Sequence, residues 1–265
     1  MTERWIDLDG LVNMRDLGGL PTRDGRRTAS GRLIRSDNLQ DLTDADVTRL
    51  VDELGVTDIV DLRTETEVHL EGPGPLRRVE SLTHHHHSLI EERQAGETAE
   101  EVGERALLTP RDEDRPSRDA RFWAEHYLGY LARRPDSVAA ALRVIADAEG
   151  ATVVHCAAGK DRTGTVVALA LDVAGVPRDE IVADYVLTAE RIDAIIGRLM
   201  PRPSYGEALA KQKSEDQLPR AESIEAILDA LHDGWGGAPG WLRERGWSEA
   251  DVERLRARLT EPASR

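Results

Sequence analysis

The run His155-Cys156-Ala157-Ala158-Gly159-Lys160-Asp161-Arg162-Thr163-Gly164 gathers a thiol, a guanidinium and two glycines within ten residues. Cys156 is the only cysteine in 265 residues, and Arg162 follows it after five intervening positions. A short apolar run, Ala151 to Val154, leads in, and a helix-like apolar run, Val166 to Leu171, leads out. A strand, a tight Gly-containing loop and a helix N-terminus together make a cradle for a phosphate-sized anion. Successive backbone N–H groups and the positive end of the helix both favour negative charge there. The thiol belongs at the floor of this cradle and the guanidinium on its rim.

Those same terms favour the thiolate, the nucleophilic form of cysteine. Arg162 adds a planar fork that fits two phosphate oxygens. A thiolate facing a phosphate monoester can attack in line and form a phosphocysteine, with the loop and Arg162 stabilising the equatorial oxygens of the group in transfer. The expected phosphate-binding residues are Ala157, Ala158, Gly159, Lys160, Arg162 and Thr163. Gly159 permits a positive φ and close backbone approach. Thr163 can hydrogen-bond the sulfur and stabilise it as the leaving group, and Lys160 offers a second cation toward the pocket mouth. The plain alternative, Cys156 as a small core residue, leaves the offsets of Cys, Gly, Arg and the helix start as coincidence.

The rest of the chain must hold this loop. Its length suits one sizeable core, and residues 1–265 are expected to form a single domain. It is 40% apolar and 32% charged, with a single Phe, so the core rests on Leu, Val, Ile and Ala. A net charge of -15 argues against binding to nucleic acid or an anionic membrane, and positive potential must come locally from one loop and a helix end. No apolar run approaches the ~20 residues of a membrane span. The first residues, Met1 to Asp7, lack the apolar stretch of a secretory signal, so the cytoplasm is the expected compartment, with export by another route left open. The oligomeric state is left open too.

The first half reads as alternating strands and helices. Strands are expected at Arg32–Arg35, Val56–Leu62, Ala151–His155 and, more weakly, Val79–Leu82. Thr43 to Asp46 forms a capping box for a helix to about Leu54, stopped by Gly55. Glu65 to Leu70 starts another, stopped by Gly72-Pro73-Gly74-Pro75. Residues 91–118 are charged and nearly free of aromatics, and are expected to be a mobile surface loop. Helical spacing then covers Ala120 to Ala132, with Phe122, Trp123, Tyr127, Tyr130 and Leu131 as its apolar side. Pro135 opens a helix to about Ala148. Helices follow over Thr163 to Ala174, Pro177 to Met200 and Glu222 to His232, and a last one capped at Ser248 ends near Leu259. The expected class is α/β: a small, mostly parallel sheet flanked by helices, with extra helices at the C-terminus.

The decapeptide resembles the cysteine-based phosphatases with their His-Cys-x5-Arg-Ser/Thr signature. More narrowly, it is similar to that of a bacterial tyrosine phosphatase family. The resemblance spans most of the chain. Asn13-Met14-Arg15-Asp16-Leu17-Gly18-Gly19 matches an N-terminal motif of that family. Arg35-Ser36-Asp37 with Leu42-Thr43, and Asp61-Leu62-Arg63 with Glu67, match its next two blocks. Ala183-Asp184-Tyr185 and Gly246-Trp247-Ser248 match later ones. The resemblance implies a cysteine-phosphatase-like fold and hydrolysis of phosphotyrosine in proteins. Some relatives also accept phosphoserine, phosphothreonine or phosphoinositides, and Lys160-Asp161 is shared with lipid-directed members. It implies no cofactor, a mobile helical lid somewhere after Tyr185, and an ionic scaffold near the pocket built from Arg15, Asp16, Arg35 and Asp37.

The leaving alcohol needs a proton, and the group that gives it can afterwards activate water. Many cysteine phosphatases use an aspartate on a separate loop. The corresponding stretch here, Leu82-Thr83-His84-His85-His86-His87-Ser88, has none, which departs from the family pattern. Asp161 inside the loop is the leading candidate, a histidine of the 84–87 run the second, and Asp61 a third that more naturally braces the loop. If Asp161 is not the acid, it would hold the loop or Arg162. The four histidines do not predict a metal. Neighbours on a strand point to opposite faces, so at most two converge, and no Cys, Asp or Glu stands at ligand spacing.

The runner-up activity is a phosphatase of inositol lipids or of a small phosphorylated metabolite. A binding module without turnover is the alternative from another class, and intact Cys156 and Arg162 argue against it. Sulfur transfer and arsenate reduction also use cysteine loops, but arsenate reduction calls for a second, resolving cysteine.

Overall fold

The structure, a computed structural model, describes residues 4–91, 98–107 and 120–262. In chain order it contains β1 (Arg15–Asp16), β2 (Leu33–Ser36), α1 (Asp44–Thr48), β3 (Val56–Asp61), α2 (Glu65–Glu71) and β4 (Thr83–His86). Then come α3 (Ala99–Ala106), α4 (Ala120–Arg133), α5 (Pro135–Asp147), β5 (Ala151–His155), α6 (Asp161–Val173) and α7 (Arg178–Val186). The chain closes with α8 (Ile192–Leu199), α9 (Gly206–Ala210), α10 (Ala221–Trp235), α11 (Ala238–Glu244) and α12 (Glu249–Leu259). Among the described residues, no helix is long and apolar enough to cross a membrane.

The strands form one sheet in the order β1-β2-β5-β3-β4. All neighbours pair parallel except β1 with β2. The expected α/β class, with a small and mostly parallel sheet between helices, is the one observed. Alternation of side chains along each strand divides the core in two. Leu33, Val60 and Val154 face the large cluster built with α4, α5, α6 and α10 to α12. Their neighbours Ile34, Ile59 and Val153 face a smaller cluster with Leu50, Leu76 and Leu82. The central strand β5 is buried at all five positions, so its C-terminal end emerges inside the protein and delivers Cys156 there. In open parallel sheets this is the end where ligands sit. The helix that follows, α6, is buried along nearly its whole length, as a helix apolar on every side must be.

Four expectations are corrected. The weak strand expected at Val79–Leu82 is not there; the strand is the next four residues, Thr83–His86. Leu82 is instead a buried anchor just before it, because the strand itself is a polar edge that gains its place by pairing with β3. The long helix from Pro177 is divided by a 3-10 turn at Leu187–Arg191. The helix after the loop begins at Asp161 rather than Thr163, which puts Asp161 and Arg162 in its first turn. Residues 91–118 are not simply a loop, since α3 lies within them, capped by a Thr98–Glu101 box. Gly103 lets α3 approach closely, for a Cβ there would collide with the Ser204 carbonyl. The remaining positions of that stretch, 92–97 and 108–118, lie outside the described residues, as do the side chains of Phe122 and Trp123.

Candidate active site

The loop from Cys156 to Lys160 is held by its carbonyls. Asn38 N–H donates to Ala157 O at 3.0 Å. Asn13 Nδ2 donates to Ala158 O at 2.9 Å, and Arg35 Nη2 to Gly159 O at 2.8 Å. Gly164 N–H donates to Lys160 O at 2.8 Å. A peptide unit carries its N–H opposite its C=O, so tying the carbonyls outward turns the amides toward one centre, which is how a backbone builds an anion cradle.

Gly159 is the pivot of the loop. Its φ is +66°, in the left-handed region. A side chain there would also run into the Ser36 carbonyl and the Asp37 amide. Gly159→Ala is therefore expected to lower stability by about 2–5 kcal/mol, from backbone strain and overpacking together, and to reduce turnover as the cradle distorts. Denaturant midpoints and kcat measured on the same preparation check this.

The donors to the loop are themselves held by a buried ionic scaffold. Arg15 Nε and Arg35 Nη1 reach the two oxygens of Asp184 at 3.0 and 2.7 Å, and Arg4 adds a third contact at 2.9 Å. Arg15 Nη1 donates to Asn13 Oδ1 at 2.9 Å, so the chain Asp184–Arg15–Asn13 ends on the loop. Burial and the nearby Arg35 lower the Arg15 guanidinium to about 10, which still leaves it charged. Asp37 accepts from the Asn13 amide and from Arg198, while burial pushes its carboxyl up. Asp16 accepts from Gly18 N–H and Gly31 N–H at 2.9 and 2.7 Å, bracing the turn beside β1. Of the expected scaffold, Arg15 and Arg35 form its buried ionic part around Asp184 and Asp37 joins it through Asn13 and Arg198, whereas Asp16 is half-buried and only braces a turn.

Arg162 is buried and meets Glu67 as a fork, at 2.7 and 3.0 Å. It reaches Ala106 O at the end of α3 at 3.4 Å. Glu67 is the third residue of α2 and closes that helix's capping box onto the Thr64 amide. Its second oxygen also accepts from the Tyr205 hydroxyl at 2.9 Å. Burial raises the Glu67 carboxyl, but the Arg162 guanidinium prevails and holds it below its usual range. On the far side of β5, Asp61 braces Arg63, and the His155 ring lies 3.7 Å from Asp61. Burial outweighs Asp61 and lowers His155 to about 4, so it is neutral at pH 7.

Two loop side chains differ from expectation. Lys160 does not stand at a mouth. It is buried, and its Nζ donates to Gln217 O at 2.7 Å, with Asp161 3.6 Å away. The Thr163 hydroxyl is buried with no hydrogen-bond partner among the described residues, the sulfur included. Asp161, the leading candidate for the acid, makes no bond to Arg162 among the described residues, the contact named as its alternative role. It accepts instead from the Tyr127 hydroxyl, which in turn lies 2.6 Å from the Tyr185 hydroxyl. Sequence reasoning placed Tyr127 and Tyr130 on the apolar side of α4 by their spacing and saw nothing more in them. Nothing local marks the Tyr127 hydroxyl as a partner of a loop some thirty residues on, while that of Tyr130 meets His126 at 3.0 Å.

The histidine run points in several directions. His84 meets Leu76 O, His85 meets Asp58 and His86 meets Arg63 O. Burial and neighbouring charge lower His84 and His87.

The loop is covered. One apolar cluster joins Ala157 and Ala158 to Leu107, Ile195, Leu199, Tyr205 and Leu209, and Cys156 is only 2% exposed. The cover comes from the end of α3 and from the chain after Tyr185, where a lid was expected.

Residues 6–261 match the tyrosine phosphatase family. A tyrosine-protein phosphatase of Nostoc commune is 32% identical over 232 residues, which cover 85% of this chain and 73% of that one. The triple specificity protein phosphatase PtpB of Mycobacterium tuberculosis is 31% identical over 277 aligned residues, covering 96% of this chain and 98% of that one. A match that runs almost from end to end makes this chain a member of the tyrosine phosphatase family.

Proposed function

We propose that the chain hydrolyses phosphotyrosine in proteins through a phosphocysteine on Cys156. The observation that carries this reading is a thiol and a forked guanidinium at the two ends of one loop whose Ala157, Ala158 and Gly159 carbonyls are tied to Asn38, Asn13 and Arg35. In the first step Cys156 Sγ attacks phosphorus in line as the P–O bond to the tyrosine oxygen breaks. Asp161 gives its proton to that oxygen. Arg162, steered by Glu67, and the loop amides hold the three equatorial oxygens. In the second step a water attacks phosphorus and gives its proton to Asp161. The S–P bond breaks, phosphate leaves and the thiolate returns. The free hydroxyl of Thr163 is available to stabilise that thiolate.

Substrate reaches the loop only when the cover formed by α8 and the chain to Gln217 withdraws. Lys160, released from Gln217 by that movement, adds a cation for more anionic phosphomonoesters. This supports phosphoserine, phosphothreonine or phosphoinositides as further substrates, in keeping with the triple specificity in the mycobacterial relative's name.

The test compares wild type with Asp161→Asn on a phosphotyrosine peptide and on 2,4-dinitrophenyl phosphate, with chelator present. A carboxyl that protonates a poor leaving group contributes about 10²–10⁴-fold. The variant should lose that factor on the peptide and keep its rate on the dinitrophenyl ester, whose leaving group needs no proton. Equal rates of the two proteins on the peptide would remove Asp161 from the mechanism.

A further inference from the structure

The chemistry proposed for Asp161 leaves open what aims it. Asp161 is the first residue of α6, and its side chain has short reach. We propose that Tyr127, backed by Tyr185, is the positioning residue that fixes the Asp161 carboxyl for proton transfer. This rests on reading Asp161 as the acid.

Tyr127 sits on the inner side of α4 and is fully buried, and its hydroxyl donates to Asp161 Oδ1. The Tyr185 hydroxyl is 2.6 Å from that of Tyr127 and, with the Tyr127 proton committed to the carboxylate, is the donor of that pair. The chain of donation therefore runs from Tyr185 to Tyr127 to Asp161. Burial first, and then the negative charge of Asp161, raise both phenols above their ordinary value. Both stay protonated donors wherever the enzyme works.

The rings are fixed as well. Tyr127 and Tyr185 meet edge to face with centroids 6.2 Å apart, and Tyr130 closes the other side of Tyr127 at 5.8 Å. The loop motif makes room for this arrangement. A Cβ at Gly164 would lie 2.9 Å from the Tyr185 ring, so the glycine after Thr163 lets that ring come forward. Holding Oδ1 as an acceptor leaves Oδ2 as the oxygen that carries the transferable proton. It also fixes the direction from which that proton leaves, and orientation of this kind is where misplacement costs rate. Lys160, 3.6 Å from Oδ1, donates instead to the Gln217 carbonyl at 2.7 Å.

The test is Tyr127→Phe, which removes one oxygen and keeps the ring. A misaimed carboxyl should lower kcat on a phosphotyrosine peptide by about 10–100-fold. The rate on 2,4-dinitrophenyl phosphate should stay within about 2-fold, so the dependence on leaving group steepens toward that of Asp161→Asn. Tyr185→Phe, which leaves the bond to Asp161 in place, should shift the balance of the two substrates the same way by a smaller factor. It remains a test if Tyr127→Phe does not fold. Equal losses on both esters would mean a purely structural role and overturn the inference, as would unchanged peptide rates in both variants. If Asp161→Asn shows the leaving-group effect and the tyrosine variants do not, the inference fails while the acid assignment stands. If Asp161→Asn shows none, both fall.

Discussion

Cys156→Ser is expected to lose at least about 10⁴-fold in kcat on every phosphomonoester while remaining folded. The thiol is the attacking atom in the proposed reaction, and an alcohol at the same place is not ionised at neutral pH. Nothing else on the loop can replace it, since the chain has no second cysteine and the neighbouring hydroxyl, on Thr163, has no hydrogen-bond partner among the described residues to act as its base. The change costs little in packing, because one small side-chain atom replaces another at a buried position in the large core cluster. The cradle amides and Arg162 stay, so the variant should still bind a phosphotyrosine peptide. Comparing kcat, peptide affinity and melting temperature separates these outcomes. A variant with a wild-type rate would remove the thiol from the mechanism.

The second large effect belongs to Arg162. Its side chain is 2% exposed and that of Glu67 is fully buried, and the two meet through a double hydrogen bond. Arg162→Ala strips the transferring group of its guanidinium and strands the Glu67 carboxylate. Arginines that stabilise phosphoryl transfer contribute about 10³–10⁵ in rate, and that loss is expected in kcat. Breaking a buried pair by removing one partner costs about 3–5 kcal/mol, so the melting temperature should also fall by roughly 10 °C. Arg162→Lys restores a charge but not the fork, and should recover stability better than rate. Arg162→Ala,Glu67→Gln should recover part of the stability and none of the rate. A double variant as slow and as unstable as Arg162→Ala alone would deny that the stranded carboxylate is what destabilises.

Much of this was legible in the chain because it is local. The cradle lies within ten consecutive residues, between a mostly apolar strand and a helix that carries an unbroken apolar run from Val166 to Leu171. The boxes at Thr43 and Ser248 place their helices through contacts three residues apart, and both form as expected. The Arg15 and Arg35 blocks were legible only through resemblance, since nothing in an isolated arginine says that it is buried on Asp184.

What the chain did not disclose depends on where distant segments land. Lys160 was expected to face outward, and is turned inward by a carbonyl 57 positions away. The hydroxyls of Tyr127 and Tyr185 look like ordinary helix core until α4 is laid beside the loop. The helix α3 had a readable signal in Thr98 and Glu101, but its charged surroundings resembled a loop. The histidine strand was passed over in favour of the more apolar residues before it, because an edge strand is held by pairing rather than by burial.

The central claim is the covalent intermediate, and rapid acid quenching during turnover of a phosphotyrosine peptide tests it most directly. Mass analysis of the digested protein should find one phosphoryl group on the peptide carrying Cys156 in wild type, and none in Cys156→Ser under the same conditions. A phosphoryl group on another residue, or steady turnover with no phosphorylated protein at any quench time, would contradict the account.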